Sequence, residues 1–254
     1  MKMSGNTILI TGGGSGIGRA LAEAFHAEGN RVIIAGRRQN LLEETAAAHP
    51  GMKTAVLDIE NSNAILRFAE QIERDYPSLN VVIQNAGIMK MEPLQKGAVA
   101  DAEAIVTTNL LGPIRLTAAL LPILMKQPQA AIMTVSSGLA FVPLAITPTY
   151  CATKAAIHSY TQSLRYQLRD TSVQVLELIP PYVQTDLTPG QANDPAAMPL
   201  KDFIAEVMNI LKTSPDATEI CVERVKPLRC AEANGGYENF FQQFNNAMAA
   251  RAHN

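Results

Sequence analysis

The stretch Thr7-Ile-Leu-Ile-Thr-Gly-Gly-Gly-Ser-Gly-Ile-Gly18 decides the fold of this chain. An apolar, strand-forming run, Thr7–Ile10, leads into a glycine-rich turn, and Arg19–Phe25 follows with a helical pattern. Strand, glycine turn and helix in this order form the corner that binds a dinucleotide, because glycine lets a pyrophosphate approach the helix N-terminus closely. The candidate binding residues are Gly12, Ser15, Gly16, Ile17 and Gly18. The alternative is a glycine turn without a ligand.

Strands and helices are predicted to alternate along the chain. Strands are expected near 6–10, 31–35, 53–57, 80–84, 130–135 and 173–179, and helices near 17–28, 39–48, 61–75, 100–126, 149–170 and 200–212. Continuously apolar runs such as Val32–Ala35 are typical of parallel strands buried on both faces. The pattern predicts one α/β domain over residues 1–254, a doubly wound, mostly parallel Rossmann sheet with helices on both faces.

A tyrosine and a lysine share one face of a predicted helix. Tyr150 and Lys154 are four residues apart, thirteen residues after Ser137. A nearby cation favours the phenolate, so Lys154 is expected to lower the Tyr150 pKa from its usual value of about 10. That would make Tyr150 a proton donor and acceptor near neutral pH. The alternative for an isolated pair of this kind is a solvated helix face.

Composition excludes several classes of function. The chain has 254 residues, 47% of them hydrophobic, and a net charge of −2 with no basic block, so nucleic acid is not an expected partner. Residues 1–6 lack the apolar run of a signal peptide, and no apolar stretch is expected to span a membrane. Three scattered cysteines suggest reduced thiols in the cytoplasm. Four histidines show no metal-ligand spacing, so no metal is expected.

Together these motifs resemble the short-chain dehydrogenase/reductase family, in its short single-domain branch. The matching positions occur in the family's order across most of the chain: Thr11 to Gly18, Asp58, Asn85-Ala86-Gly87, Asn109, Ser137, Tyr150, Lys154 and Thr185. The resemblance is specific for fold and reaction class, and it does not specify a substrate. It implies an NAD(P)(H)-dependent oxidoreductase that acts on a small-molecule carbonyl or alcohol.

The resemblance implies four catalytic residues. Tyr150 would act as general acid or base, and Ser137 would hydrogen-bond the reacting oxygen. Lys154 would lower the Tyr150 pKa and bind ribose hydroxyls, while Asn109 would hold a water that links Lys154 to solvent. The alternatives are a turn serine for Ser137 and a buried amide bonded to the backbone for Asn109.

Cofactor choice is predicted from the end of the second strand. Gly36 stands where family members that use NAD have an acidic residue, and Arg37 and Arg38 follow. A guanidinium suits a 2′-phosphate, so NADP(H) is expected to be preferred over NAD(H). The alternative is that both arginines are solvated residues at a helix start. The other implied cofactor contacts are Asp58, Ile59, Asn85, Ala86, Gly87, Tyr150, Lys154, Pro180, Val183 and Thr185, with Pro181 in place of a family glycine.

Substrate contacts are expected to be mostly apolar. The candidates are Leu139, Val142, Tyr182 and Met198, together with Met89, Met91, Leu144, Leu187 and Thr188. No arginine or lysine is obviously placed for a substrate phosphate or carboxylate, which favours a nonpolar ketone or aldehyde. The irregular stretch 186–199 and the following helix, 186–212 in all, form a candidate lid, with an ordinary surface loop as the alternative.

The C-terminus departs from the family's pattern. Residues 219–225 are predicted to form a last strand, and 236–252 an amphipathic helix with apolar residues Phe240, Phe241, Phe244 and Met248 at helical spacing. This helix would pack on its own core, cover the active site or meet another subunit. Relatives are commonly dimers or tetramers built on the helices here near 100–126 and 149–170, so a homodimer or homotetramer is expected.

The most favoured function is an NADPH-dependent carbonyl reductase. One alternative is a non-catalytic NADP(H)-binding regulator or scaffold. Another is an NAD-dependent alcohol dehydrogenase that works in the oxidative direction. The longer epimerase relatives, which share the Tyr-x-x-x-Lys pair, do not fit because their glycine spacing and larger substrate domain differ from this chain.

Overall fold

A seven-stranded parallel sheet forms the centre of the computed structural model, which describes residues 1–97 and 99–252. The strands are β1 (Thr7–Thr11), β2 (Arg31–Gly36), β3 (Lys53–Val56), β4 (Val81–Gln84), β5 (Ala130–Val135), β6 (Val173–Ile179) and β7 (Glu219–Cys221). Their order in the sheet is β3-β2-β1-β4-β5-β6-β7, and every neighbouring pair is parallel. The order reverses between β1 and β4, so a crevice opens at the carboxyl ends of these strands. The predicted doubly wound fold is confirmed.

Helices cover both faces of the sheet. They are α1 (Gly16–Ala27), α2 (Gln39–Ala47), α3 (Ser62–Asp75), α4 (Ala100–Val106), α5 (Gly112–Met125), α6 (Pro148–Gln167), α7 (Leu200–Thr213), α8 (Lys226–Arg229) and α9 (Tyr237–Ala252). Phe25 of α1 and Phe203 of α7 pack on one face, and Phe68 of α3, Leu120 of α5 and Leu164 of α6 pack on the other. Each fully buried side chain of this size contributes about 1.5–3 kcal/mol.

The apolar strands are buried on both faces because successive side chains alternate. In β1, Ile8 and Ile10 join the core beside α1, while Leu9 joins the core beside α3 and α5. In β2, Ile34 joins the core beside α1, while Ile33 joins the core beside α3 and α5. This arrangement explains why the strand sequences are continuously apolar rather than alternating.

The helix predicted over 100–126 has a wider turn in its middle. A π-helical turn at Thr107–Leu111 separates α4 from α5. Pro113 follows it and has no backbone N–H to donate within a helix. A Cβ on Gly112 would lie 2.6 Å from Ile59 Cγ1, so glycine lets the helix approach Ile59 closely. Asn109 lies in this buried turn, and such turns are frequent at functional sites.

The predicted last strand is shorter than expected. β7 ends at Cys221, and Glu223–Val225 forms a single 3₁₀ turn instead of the strand predicted over 219–225. Val222 and Val225 are both fully buried. Their spacing of three places them on one side of a helical turn, whereas a strand would send them to opposite faces.

The stretch Ala100–Met125 is long and apolar enough to cross a membrane by length and composition, with a mean hydropathy of 1.4 over an 18-residue window. Length and composition alone do not show that this stretch spans a membrane. Within it, Leu116 and Leu120 are buried in the core that α5 shares with α3 and the sheet. This packing is that of a core helix.

Candidate active site

A cavity of about 530 Å³ opens at the carboxyl edge of the sheet. It extends from the glycine turn after β1, past the end of β4, to the first turns of α6. Its lining includes these residues singled out from the sequence: Gly12, Ser15, Gly16, Ile17, Arg37, Arg38, Ile59, Asn85, Ala86, Gly87, Ser137, Tyr150, Lys154, Pro180, Val183 and Thr185. The structure thus brings most of the candidate cofactor residues to one place.

The glycine turn forms a cradle whose shape depends on missing side chains. Gly12 and Gly16 have φ angles of +68° and +53°, a region that other residues adopt rarely. A Cβ on Gly18 would lie 2.3 Å from the Gly12 carbonyl oxygen, so α1 can approach the turn only with glycine there. The N-terminus of α1 faces this cradle at Gly16. Its open backbone and helix N-terminus fit the diphosphate of a dinucleotide.

Thr11 and Asn85 fasten the two strand ends at the crevice. The Thr11 hydroxyl accepts hydrogen bonds from the backbone N–H groups of Asn85 and Ala86, both at 3.1 Å. The Asn85 side chain donates to the Thr11 carbonyl at 3.1 Å. Asn85 therefore has a structural task here. Thr11 was not among the predicted site residues, although a hydroxyl at a strand end before the glycine turn was a visible signal.

The two arginines after β2 have different partners. Arg38 Nη2 donates to Ser15 Oγ at 2.7 Å, so its guanidinium closes one side of the glycine cradle. Arg37 Nη1 lies 2.6 Å from Glu60 Oε1, an acceptor that also takes the Thr108 hydroxyl at 2.9 Å. Arg38 is therefore the arginine that contacts the glycine turn, while Arg37 is already paired with a carboxylate.

Asp58 lies beside the cavity rather than in its lining. Its carboxylate accepts a hydrogen bond from the Glu60 backbone N–H at 3.1 Å. This bond shapes the turn after β3 and presents Ile59 to the cavity.

Tyr150 and Lys154 are both buried on α6, with exposed fractions of 6% and 5%. The Lys154 ammonium lies 5.5 Å from the centre of the Tyr150 ring and donates to the Val135 carbonyl at 2.8 Å. The Ser137 hydroxyl is hydrogen-bonded to the Tyr150 side chain. Ser137 lies two residues after the end of β5, so the strand and the helix together bring these three groups to one end of the cavity.

Burial controls the protonation of this group. Desolvation raises the pKa of Tyr150 well above its usual value, and the hydrogen bond with Ser137 only partly opposes this. Desolvation also lowers the pKa of Lys154 to about 8, opposed by the negative charge of Glu177. The expectation of a lowered Tyr150 pKa is therefore wrong in direction for this structure, because desolvation outweighs the hydrogen bond with Ser137.

Asn109 holds the backbone of the cavity wall. Its side chain donates to the Ile88 carbonyl at 2.8 Å and accepts from the Ile88 N–H at 2.9 Å. A Cβ on Gly87 would lie 3.3 Å from Asn109 Oδ1 and 3.8 Å from Lys154 Nζ. The amide is thus bonded to backbone, as the alternative supposed, and it fixes the segment that passes Lys154. Its role in holding a water stays a prediction.

Two of the nine substrate candidates, Met89 and Leu187, line the cavity, whereas Leu139, Val142, Tyr182 and Met198 do not. Val142 is fully buried, and Met198 pairs with Val183 in a short parallel bridge. The Tyr182 hydroxyl donates to Asp194 at 3.0 Å. Leu139 packs beside the apolar cluster that contains Tyr150. Apolar character indicated these residues, but apolar side chains near a site serve the core as readily as the pocket.

The candidate lid over 186–212 has two parts. Its second part is α7, whose Phe203 and Val207 are in the sheet core. In its first part Gln191, which is 6% exposed and lines the cavity, donates to the Val183 carbonyl at 2.7 Å and the Thr185 hydroxyl at 3.2 Å. Gln191 was missed because a glutamine in an irregular stretch gives no sequence signal. Any lid is limited to 186–199.

Helix α9 covers the wall beside Tyr150. Phe244 and Met248 pack against an apolar cluster formed by Ile105, Leu144, Tyr150 and Cys151. Asn245 accepts from the Ala145 N–H at 2.7 Å and donates to the Pro143 carbonyl at 3.1 Å. The helix is thus attached to the loop that precedes α6.

Comparison with known proteins agrees with this geometry. A family model described as short chain dehydrogenase matches residues 6–196. The uncharacterized oxidoreductase DltE of Bacillus subtilis (strain 168) is 42% identical over 253 residues, which cover 96% of this chain and 98% of that protein. An uncharacterized oxidoreductase of Staphylococcus aureus (strain N315) is 29% identical over 87% of this chain and 96% of its own length.

Two solved structures show the same fold. A short chain dehydrogenase from Burkholderia cenocepacia in complex with NADP has a TM-score of 0.79 at 24% identity, covering 99% of this chain and 98% of that one. A short chain dehydrogenase/reductase from Burkholderia phymatum in complex with NAD has a TM-score of 0.80 at 20% identity, covering 96% of each chain.

Proposed function

Because this chain belongs to the short-chain dehydrogenase family of oxidoreductases, we propose that it is an NADPH-dependent reductase of ketones or aldehydes. The observation that carries the proposal is one continuous cavity, with the glycine cradle at one end and buried Tyr150, Ser137 and Lys154 at the other. A dinucleotide in the cradle would extend along this cavity to the tyrosine. Oxidation of an alcohol by the same residues is the reverse reaction.

The chain's own residues would hold the cofactor by shape and charge. The cradle of Gly12, Gly16 and Gly18 suits the diphosphate, and Lys154 is placed to bind ribose hydroxyls. Ile59 would line the adenine end. When bound, the nicotinamide supplies the hydride that reduces the carbonyl carbon.

Tyr150 would supply the proton in reduction. Its raised pKa keeps the phenol protonated at neutral pH, so the group is ready to donate a proton to the oxygen that becomes anionic. Ser137, hydrogen-bonded to Tyr150, would donate to the same oxygen and position it. Lys154 would stabilise the negative charge that Tyr150 acquires after it gives up its proton.

Arg38 is the residue that supports a preference for NADP(H). Its guanidinium reaches Ser15 of the glycine turn, next to the place where an adenine ribose phosphate would lie, and Gly36 offers no carboxylate to repel that phosphate. Of the two solved structures of the same fold, one contains NADP and the other contains NAD. They therefore do not decide between the cofactors, and the preference for NADP(H) is our proposal for this chain.

The wall formed by α9 supports an apolar substrate. Phe244, Met248 and Leu144 pack in one apolar cluster with Tyr150, and the apolar residues Ile88, Met89 and Leu187 line the cavity itself. We propose assembly into a homodimer or homotetramer through α5 and α6, which carry the exposed side chains of Met125 and Tyr166. We also propose a cytoplasmic location, without a nucleic acid or membrane partner.

Steady-state assays with NADPH and NADH over a panel of aliphatic, aromatic and keto-ester carbonyls test this function. We expect turnover with NADPH preferred. Tight NADPH binding without turnover of any carbonyl would instead support the regulator alternative, and equal or tighter NADH binding would contradict the cofactor proposal.

Substitution of the two arginines tests the phosphate contact. Arg38→Ala is expected to weaken NADPH binding by about 10- to 100-fold, the value of a charge-assisted hydrogen bond, and to leave NADH binding nearly unchanged. Arg37→Ala is the matched control with a smaller effect, because its guanidinium is paired with Glu60. A larger loss in Arg37→Ala would contradict this assignment. Titration of each variant with NADPH and with NADH, followed by the change in nucleotide fluorescence, gives the Kd values.

A further inference from the structure

A buried carboxylate lies behind the proposed active site, at Glu177 of β6. Its side chain is fully buried. In the sheet, Glu177 pairs with Thr134 of β5 on one side and with Glu219 of β7 on the other. A charge in this position is costly unless hydrogen bonds and opposite charges compensate for the lost water.

Ser136 and His158 supply hydrogen bonds to this carboxylate. Ser136 Oγ donates to Glu177 Oε1 at 2.5 Å, and His158 Nδ1 lies 2.8 Å from Glu177 Oε2. The edge of the Phe141 ring meets the His158 imidazole at a centroid distance of 4.7 Å, and Gln162 contacts the other ring nitrogen at 3.1 Å. The orientation of Glu177 is therefore fixed from β5 and from α6.

The partners of Glu177 are direct neighbours of the proposed catalytic residues. Ser136 lies between Val135, whose carbonyl accepts the Lys154 hydrogen bond, and Ser137. His158 follows Lys154 by four residues, one turn further along the same face of α6. The negative charge of Glu177 raises the pKa of Lys154 against the larger effect of desolvation, which lowers it to about 8.

The same cluster has the geometry of a metal site, since ligand atoms of His158, Glu177 and Glu219 lie within 4.8 Å of one another. However, Arg229 donates to both carboxylate oxygens of Glu219, at 2.8 and 3.0 Å. This guanidinium already supplies the positive charge that a metal would bring, and it lowers the pKa of Glu219. The cluster is better explained as a buried arrangement of protein charges.

We propose that Glu177, held by Ser136 and His158, is a positioning residue that keeps the buried Lys154 cationic. The inference rests on the proposed role of Lys154 in stabilising the Tyr150 phenolate. The titratable and charged groups around this pair are Tyr150, His158 and Arg165 on α6, Glu219 and Cys221 on β7, and Arg229 on α8. Of these groups, Glu177 is the fully buried carboxylate. Its partner Ser136 directly follows Val135, which binds Lys154, and its partner His158 lies one turn from Lys154 on α6.

A direct titration of Lys154 tests the proposal independently of turnover. The ¹³Cε chemical shift of Lys154 is followed between about pH 6 and 11 in lysine-labelled protein, and its signal is assigned by its loss in Lys154→Met. In Glu177→Gln the ammonium stays buried but loses its nearby negative charge. We expect the titration midpoint, near pH 8 in the native sequence, to fall by about one pH unit.

The controls separate this electrostatic effect from loss of structure. Glu177→Met removes the same charge and introduces an apolar side chain of similar volume, a change that buried ionic sites often tolerate. This variant replaces Glu177→Gln in the titration if Glu177→Gln does not fold. Glu73→Gln removes an exposed carboxylate paired with Lys126 and is expected to leave the midpoint unchanged. An unchanged Lys154 midpoint in a folded variant without the Glu177 charge would overturn the proposal. An enzyme assay that fails would bear only on the proposed function.

Discussion

Lys154 is a residue whose burial opposes folding. The residue is 5% exposed, and burial lowers its pKa from 10.5 to about 8. This difference corresponds to roughly 3 kcal/mol of free energy that the protonated side chain costs the folded state. The same burial places the ammonium beside the Tyr150 ring, where the proposed reaction needs a cation. Function and stability therefore place opposite demands on this position.

Lys154→Met is expected to be more stable than the native sequence at neutral pH and inactive. The folded protein binds this proton less tightly than the unfolded chain, so the native sequence gains stability as the pH rises from about 8 to 10.5. The advantage of Lys154→Met should therefore be largest below pH 8, on the order of 2–3 kcal/mol, and disappear above about pH 10.5. Urea unfolding at several pH values measures it.

A difference in the free energy of unfolding between Lys154→Met and the native sequence that does not depend on pH would contradict this account. It would show that the two proteins differ in packing rather than in the cost of a buried charge. Lys126→Met, at an exposed lysine on the surface, is the matched control and should show no such pH dependence.

At the scale of elements, some features could be predicted from the sequence because their cause is local. The strand, glycine turn and helix from Thr7 to Ala27 follow from glycines whose φ angles and close contacts admit no side chain. The shortened β7 could not be predicted from apolar content, because valine is a residue type that favours strands. In the structure, Val222 and Val225 are instead both buried by a helical turn. The π turn at Thr107–Leu111 is followed by Gly112, whose close approach to Ile59 joins residues far apart in sequence.

Helix α9 is the element whose sequence left three alternatives. In the structure it packs on its own chain beside Tyr150, attached through Asn245 to the loop at Pro143 and Ala145. The aromatic spacing predicted a helix over 236–252, but only the tertiary contacts show which surface Phe244 meets. Contact with another subunit through the outer face of α9 is compatible with this packing.

Phe244→Ala tests whether α9 determines substrate choice. Phe244 packs against the cluster that holds Tyr150, so its removal is expected to loosen that side of the site. The kcat/KM for a bulky apolar ketone should then change by about tenfold relative to a small ketone, since one methylene group in an apolar pocket is worth about 1–3 kcal/mol. Phe240→Ala, on the same helix but outside the cluster around Tyr150, is the matched control and should keep the native ratio. Parallel changes in both variants would assign α9 a purely structural role.

At the scale of the whole molecule, the sheet brings together groups that the sequence separates widely. The glycine turn, Ser137 and the Tyr150–Lys154 pair could be predicted to lie near one another, because each follows a strand or begins a helix in a fixed order, and all of them line one cavity. Glu177 and His158 could not be assigned, because they are 19 residues apart and meet only when α6 packs on β6. The same holds for Gln191, whose partners depend on the path of an irregular segment.

The proposed reaction also depends on the assembly of distant elements. β5 supplies Ser137, α6 supplies Tyr150 and Lys154, and the turn after β1 supplies the cradle. The hydride donor and the proton donor would therefore meet only in the complete fold, so turnover and folding should be lost together in denaturant.

The most direct test of the account is NADPH oxidation by Tyr150→Phe, with a carbonyl that the native protein reduces. Loss of the phenol removes the proton donor, so kcat is expected to fall by about 10²- to 10⁴-fold while the Kd for NADPH changes little. Tyr160→Phe, which alters another tyrosine of α6 that packs beside the core away from the cavity, should retain native turnover. Near-native turnover by Tyr150→Phe would contradict the central claim.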